Sequence, residues 1–305
     1  MPLIPLKNNL RIADTQYAGD YKYSCGNVVP IFDVYSTSGL NQIIGHAKFN
    51  NKDIANVYYR GECELHNQLL PSLFRKYKKT VKAKHIRSLI NSIMIDHDMQ
   101  KSIKINGDID LNAVDSAKIE GMLQHYGIKT RFIDLVDNHW VSLWMGNYKN
   151  CETKRISKYY HYYKREIQFL DFINNNDNIY QYILLVAIPN AAMEEVDGVK
   201  ISDNFIEVDL RKALPSVFLR PHAQHGIVVR KKMAEEKCTD DYDLASQIIG
   251  ILRIRIDMAS LWLGNGELLS QANLFPPPSY DCGYDILLSR TDLFTDPEYQ
   301  IAKYI

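Results

Sequence analysis

Three short stretches of this sequence gather residue types able to do chemistry. The first is Tyr58-Tyr59-Arg60-Gly61-Glu62, where an arginine closes an apolar strand immediately before a glycine. A guanidinium fork recognises a carboxylate or phosphate through paired hydrogen bonds, and a glycine lets a ligand approach the backbone. The same arginine has a plainer use, an ion pair to Glu62, Glu64 or Asp134. The second stretch is Gln124-His125-Tyr126-Gly127 followed by Thr130-Arg131-Phe132-Ile133-Asp134. It sets an amide, an imidazole, a hydroxyl, a guanidinium and a carboxylate at a helix–strand junction. His125 can exchange a proton near neutral pH. Arg131 and Asp134 form either one wall of a polar pocket or a half-buried structural pair. The third stretch, Arg220-Pro221-His222-Ala223-Gln224-His225-Gly226, offers Gln224, which both donates and accepts, beside a glycine that permits a bulge. His222 and His225 could share a metal with a carboxylate, but no partner at fixed spacing accompanies them, and no metal is expected.

Elements must hold these residues in place. The spacing predicts a strand over 55–60 ending at Gly61, a buried turn or helix start at 69–74, and helices over 82–100 and 113–125 around a loop at 106–108. Gly127 supplies the left-handed residue that ends a helix; a short strand (130–135), an Asp137-Asn138 cap and a helix from His139 follow. Val28 to Tyr35 reads as a strand that Pro30 confines to an edge or bulge. Residues 156–173, with YYHYYKRE, read as a basic amphipathic helix whose tyrosine stems cover the core; a nucleic-acid platform is the functional alternative. Ile179 to Pro189 is the strongest strand, apolar on both faces. Asp197-Gly198 marks a hairpin turn, and strands are expected at 205–210, 217–220, 226–231 and 252–257, with a helix at 242–250. An extended proline segment at 273–278 ends the compact part. The fold class that follows is α+β, a mixed, mainly antiparallel sheet with helices packed on it. Its expected divisions are an N-terminal extension (1–50), one main domain (51–290) and a C-terminal tail (291–305).

The 305 residues carry 36 Lys+Arg and 36 Asp+Glu, so global charge gives no reason for a polyanionic partner, although a local basic patch is compatible with it. Five scattered cysteines without a CxxC argue against a disulfide framework or a cysteine-rich zinc site and point to a reducing, cytoplasmic setting. No signal peptide and no membrane span are expected. Glycine-rich phosphate loops, dinucleotide fingerprints, GxSxG elbows and HExxH helices are all missing from the sequence. The 20 tyrosines suit pockets and interfaces alike.

Taken in order, Tyr59-Arg60-Gly61, Leu70-Pro71-Ser72-Leu73-Phe74-Arg75 and Gln124-His125-Tyr126-Gly127…Thr130-Arg131-Phe132-Ile133-Asp134 resemble the FRG domain family, named for its Phe/Tyr-Arg-Gly motif. Arg220…Gln224-His225-Gly226 and Leu274-Phe275-Pro276 look like the family's closing motifs, so the resemblance runs from about Asp53 to Leu288. The order of elements is also similar to that of ADP-ribosyltransferases of the arginine type, an analogy of fold. It implies an ADP-ribosyltransferase-like sheet with NAD as the nucleotide substrate. Arg60 would then be the phosphate anchor, with Tyr59, Gly61, Tyr126, Thr130 and Arg131 as further binding residues and Tyr59 and Tyr126 as the stackers. His125, Asp134 and Gln224 would be the catalytic set. Cleaving the nicotinamide–ribose bond develops positive charge that a carboxylate stabilises; Gln224 carries none, so Asp134 or Glu207 would have to serve. The implied activity is ADP-ribose transfer to a protein or nucleic-acid acceptor, or NAD hydrolysis, in a toxin or phage-defence effector. The alternatives are a non-catalytic nucleotide- or nucleic-acid-binding module and, more weakly, a metal-independent nuclease using His125 and His225.

Overall fold

A run that is apolar at every position has no side to give to water and belongs in the middle of a sheet. In the computed structural model, which describes residues 2–75, 81–103, 113–154, 158–168, 177–190, 194–232, 240–296 and 299–304, that is where Ile183 to Ile188 lie. The strands are β1 (Thr15–Lys22), β2 (Val28–Val34), β3 (Ala55–Glu62), β4 (Ile133–Val136), β5 (Tyr148–Lys154), β6 (Lys158–Lys164), β7 (Tyr180–Pro189), β8 (Glu194–Val196), β9 (Val199–Ile201), β10 (Phe205–Asp209), β11 (Gly226–Lys231), β12 (Ile248–Arg255) and β13 (Lys303–Tyr304). Ten of them form one sheet in the order β1-β2-β12-β7-β3-β4-β11-β10-β9-β8. Its pairs are antiparallel apart from β2 with β12. A second, three-stranded sheet has the order β13-β6-β5. The expected α+β class with a mixed, mainly antiparallel sheet is therefore the fold.

The helices lie on this frame. They are α1 (Thr37–Asn51), α2 (Ser72–Arg75), α3 (Val81–Ile95), α4 (His97–Ile103), α5 (Ala113–His125), α6 (His139–Asn147), α7 (Leu210–Ala213), α8 (Leu219–Ala223), α9 (Ile256–Trp262), α10 (Gln271–Leu274) and α11 (Cys282–Ser289). On one face of the central strands, α1, α6 and α9 bury Leu40, Ile43, Leu143 and Trp144 against Val57, Tyr59, Leu185 and Leu252. The opposite face carries Tyr58, Leu184 and Val186, covered by Leu69, Leu244 and Ala245. Beyond β4, helices α3, α4, α5 and α11 pack Ile86, Ile90, Met122 and Leu287 on Val208 and Val228. Two strands of the main sheet thus come from the stretch read as an extension, and β13 from the stretch read as a tail.

Several expectations need correction. Of the edge or bulge expected at Pro30, β2 is not an edge: β1 pairs on one side, with a register shift between Tyr17 and Gly19 opposite Phe32 and Ile31, and the parallel pairing with β12 begins just after the proline, at Ile31. The helix read over 82–100 breaks at Asp96, whose carboxylate accepts the Met99 N–H and pairs with Arg290. Residues 158–164 are a strand, because Tyr160 and Tyr162 alternate with Tyr159, His161 and Tyr163 and pair across to β5. Val217 to Arg220 is not a strand. Leu219 starts α8, with Asp281 from far along the chain accepting the Leu219 and Arg220 N–H groups. Short turns stand in place of most of the helix expected over 242–250; the strand expected over 252–257 is present as β12 but starts earlier, at Ile248, and gives way to α9 at Ile256. The proline segment does not close the fold, since α11 and β13 lie beyond it. The loop at 106–108, Ile156 and the end of the helix read to 173 lie outside the described residues.

Two glycines carry local geometry. Gly127 ends α5 with φ +93°, as its type demands. Gly61 has a different office from the one its sequence suggests: a Cβ there would lie 1.9 Å from the Ser142 oxygen and 2.7 Å from the Gly146 nitrogen. The glycine of the Tyr-Arg-Gly motif makes room for the backbone of α6. Gly61→Ala is therefore expected to destabilise the protein by about 3 kcal/mol, as overpacking does, read as a lower urea midpoint at unchanged slope.

Candidate functional site

The polar cleft forms where the two central strands part. Among the described residues β3 and β4 share one paired position, Tyr59 with Val136. Past it the ladder is replaced by a side chain, as Arg60 donates from Nη1 to the Asp134 carbonyl oxygen at 2.7 Å. Its Nε bonds the carboxylate of Glu62, two residues on and therefore on the same side of the strand. The opening has a volume of about 550 Å³, within the range of small-molecule sites. The plainer use of Arg60, an ion pair with Glu62, is thus realised inside the cleft wall itself.

Asp134 faces into this opening. Its Oδ2 accepts the Gln124 amide N–H at 2.6 Å, while Oδ1 has no hydrogen-bond partner and stands 4.0 Å from His125 Nδ1. The orientation of Gln124 is fixed from behind: its Oε1 accepts the Thr130 N–H at 3.2 Å and the Thr130 hydroxyl at 2.8 Å. An acceptor must face that backbone N–H, so the amide nitrogen must face Asp134. Thr130 accordingly works from the core, fully buried, and does not line the cleft.

The electrostatics divide the two carboxylates. Burial alone would raise Glu62, but the positive charges of Arg60 and Arg75 hold it below the usual carboxylate range. Burial raises Asp134, and the Gln124 N–H with the more distant Arg60 and Arg75 opposes this without cancelling it. Neighbouring acids whose affinities for protons are pushed apart are the arrangement from which acid–base roles are assigned. His125 is buried at the back of the opening, and burial together with the charge of Arg220 lowers it to about 3. It is neutral at physiological pH.

An aromatic wall stands opposite. Tyr162 stacks on Phe275 at 4.6 Å between ring centres, Phe275 on Tyr304 at 4.8 Å, and Tyr148 on Trp144 at 4.3 Å. Tyr148, Tyr160, Tyr162, Phe275 and Tyr304 all border the cleft. Behind them lies Arg220, completely buried, with its guanidinium carbon 4.2 Å from the Tyr304 ring centre, 4.5 Å from Tyr126 and 4.6 Å from Tyr284. It donates to the His125 carbonyl oxygen at 3.3 Å, while its Nε and Nη2 have no hydrogen-bond partner. No carboxylate forms an ion pair with it among the described residues, so ring faces supply much of its stabilisation.

The structure therefore brings Tyr59, Arg60, Gly61, His125, Asp134 and Gln224 to one opening and leaves three of the expected residues outside it. Tyr126 is pinned in the core by a 2.7 Å bond from its hydroxyl to Asp281. Thr130 orients Gln124. Arg131 does not pair with Asp134; it bonds Glu120 through Nε at 2.9 Å and Nη2 at 2.7 Å, with both residues buried. Tyr59 reaches the wall, but its ring lies beneath Lys48 and against His139, which makes it a poor stacker. Gln224 commits its amide N–H to the Leu274 oxygen at 2.7 Å, fixing the turn that presents Phe275. Glu207 is taken up by Tyr58 and Lys200 in the sheet. His225 turns to Arg211 and is not in the lining, so it does not meet His125. Sequence reasoning missed Glu62 and Arg75 as cleft residues and missed the tyrosine wall. The sequence carried no clear signal for the wall, since 159–163, Tyr-Tyr-His-Tyr-Tyr, does not alternate apolar with polar residues.

Comparison with known families agrees with the first two motifs. The FRG domain model matches residues 55–155, which takes in Tyr59-Arg60-Gly61 and Gln124 to Asp134 and stops short of the closing motifs expected near Arg220 and Leu274. No curated protein and no solved structure matches the chain. No group of three His, Cys, Asp or Glu residues able to hold a metal occurs among the described residues, and no described helix is long and apolar enough to cross a membrane.

Two measurements test this arrangement. Arg131→Ala leaves the buried Glu120 carboxylate to the more distant Arg230, 3.9 Å away, and is expected to cost about 3 kcal/mol. Glu120 is held low by Arg131 and Arg230 against the effect of burial, so its contribution is present above the unfolded carboxylate pKa and is lost as pH falls through the folded one. Stability at pH 7 should accordingly drop in the variant, while part of the wild-type acid sensitivity disappears. An NMR titration should find His125 neutral from pH 8 down to 5, and His125→Gln should flatten the loss of stability between about pH 6.5 and 3, where the unfolded histidine takes up a proton and the folded one does not. The Tyr-Arg-Gly segment and the polar junction that face each other across the cleft both lie within the matched residues, and the chain carries an FRG domain over residues 55–155.

Proposed function

We propose that the cleft binds NAD and breaks its nicotinamide–ribose bond, passing ADP-ribose to a macromolecular acceptor or to water. The observation that carries this reading is a pair of carboxylates beside Arg60, Glu62 bonded to its Nε and Asp134 bridged to it through the backbone oxygen, one pushed towards the ionised form and one towards the protonated form, opposite an aromatic wall. Glu62, ionised, is the group suited to stabilise positive charge on the ribose as the bonding pair leaves with nicotinamide. Asp134, the stronger base with an unpartnered Oδ1, accepts the proton of the attacking hydroxyl or water. Arg60, whose Nη2 makes no hydrogen bond among the described residues, and Arg75 are the cations for the pyrophosphate. The wall at Tyr162 and Phe275 takes a flat ring. A non-catalytic nucleotide-binding module is the second reading, favoured by Gln224, a neutral amide whose N–H is already committed to the Leu274 oxygen, so the late position supplies no charge.

The test incubates purified protein with NAD, with and without cell extract, followed by mass spectrometry. Release of nicotinamide without extract identifies hydrolysis; release that needs extract and adds mass to an acceptor identifies transfer. Glu62→Gln and Asp134→Asn should each lose at least about 100-fold in rate while still unfolding cooperatively. The rate should fall on acidification, with its acid limb displaced upward by the raised Asp134. Thermal stabilisation by NAD without release would select the binding module, and the absence of both effects would remove NAD from the account.

A further inference from the structure

The small sheet that supplies the tyrosine wall has a second face. Strand residues two apart point to the same side, so while Tyr160 and Tyr162 turn inward to stack on Tyr304 and Phe275, Tyr159, His161 and Tyr163 form a row on the outside. Their cross-strand partners are Thr153, Cys151 and Lys149. His161, Tyr163, Cys151 and Lys149 are solvent-exposed, with Tyr163 at 44%. On the other flank, Lys303 in β13 lies alongside Tyr159, its ammonium 5.9 Å from the ring centre. Neighbouring rings along this strand are spaced by about 6.8 Å.

The charge on this face is of one sign. In the outer row, Lys149, Cys151 and Thr153 on β5, Tyr159, His161 and Tyr163 on β6 and Lys303 on β13, no residue is acidic, and the two lysines stand on opposite flanks of the rings. The one acid of β5, Glu152, sits on the cleft side opposite Tyr160. A row of rings flanked on both sides by ammonium groups is complementary to a chain that alternates flat bases with phosphates. A duplex offers its bases only within the grooves, so it could use the charges but not the rings.

We propose that the outer face of this sheet binds single-stranded nucleic acid, with bases stacked on Tyr159, His161 and Tyr163 and phosphates held by Lys149 and Lys303. Lys149 also stands at the rim of the cleft, so a strand lying on this face passes beside the opening. Binding here is independent of the NAD reading, and neither result depends on the other.

The test is fluorescence anisotropy with labelled 12-nucleotide oligo-dT and oligo-U and with a DNA duplex of equal length, over a range of salt. Both single strands are expected to bind more tightly than the duplex, with affinity that falls as salt rises. Tyr163→Ala, an exposed change whose fold is checked by its thermal midpoint, should weaken single-strand binding by at least about fivefold, the loss of one stacked base. Lys303→Glu should weaken it and flatten the salt dependence. A preference for oligo-U over oligo-dT would identify RNA as the ligand, and the reverse DNA. No binding at low salt, or equal binding of duplex and single strand that Tyr163→Ala does not alter, would overturn the proposal.

Discussion

The guanidinium of Arg60 stands at the point where β3 and β4 separate, and the site depends on what it does there. A ladder that stops after one pair leaves polar backbone groups facing each other without partners, a situation that folded proteins rarely tolerate. Arg60 resolves it by taking the Asp134 carbonyl oxygen on one side and the Glu62 carboxylate on the other. The strands are thereby held together and held apart at once. Because the bond goes to the backbone of Asp134, the side chain of that residue stays available to the cleft. Gly61 completes the arrangement from behind by letting α6 come against the strand. The three motif residues do three separate jobs: packing a ring under Lys48, bridging the split, and admitting a helix.

The residues of the site were legible in the sequence because their chemistry is dense and local. Gln124, His125, Thr130 and Asp134 sit within eleven positions of one another, and a polar cluster at a helix–strand junction marks itself. What each residue does was less legible, since partners come from elsewhere. Nothing near Arg131 in sequence announces Glu120 as its counterion, although the two lie one above the other once α5 folds back. The 158–164 strand is hard to read because its run of tyrosines carries neither helical nor alternating spacing, and only the pairing to β5 decides it. The start of α8 was hidden for a different reason. Its backbone N–H groups are met by Asp281, which no local pattern reveals. The centre of the sheet posed no such difficulty, because the apolar content of β7 admits a single environment.

Arg220 shows how charge is placed here. Among the described residues it has no ionic partner, yet four rings surround its guanidinium, and its field falls on His125. The rings that stabilise it, Phe275 and Tyr304, are the ones whose other sides border the cleft. A cation behind an aromatic wall makes the wall's position an electrostatic matter as well as a packing one. The cleft consequently has an aromatic, positively backed side and a side whose acids flank Arg60.

The order of the sheet has a consequence in time. Strand β3 lies between β7 and β4, and β4 in turn between β3 and β11, so Tyr58 opposes Val186 and Asp134 opposes Val228. These neighbours are far apart along the chain. Contacts of that kind form late, because the loops they close cost entropy before any contact rewards them. The matched segment 55–155 contains neither β7 nor β11, so in isolation it would present open strand edges, the usual starting point of aggregation. The stretch by which the family is recognised and the unit that can fold are different lengths of chain. During refolding, the cleft should be among the last features to appear.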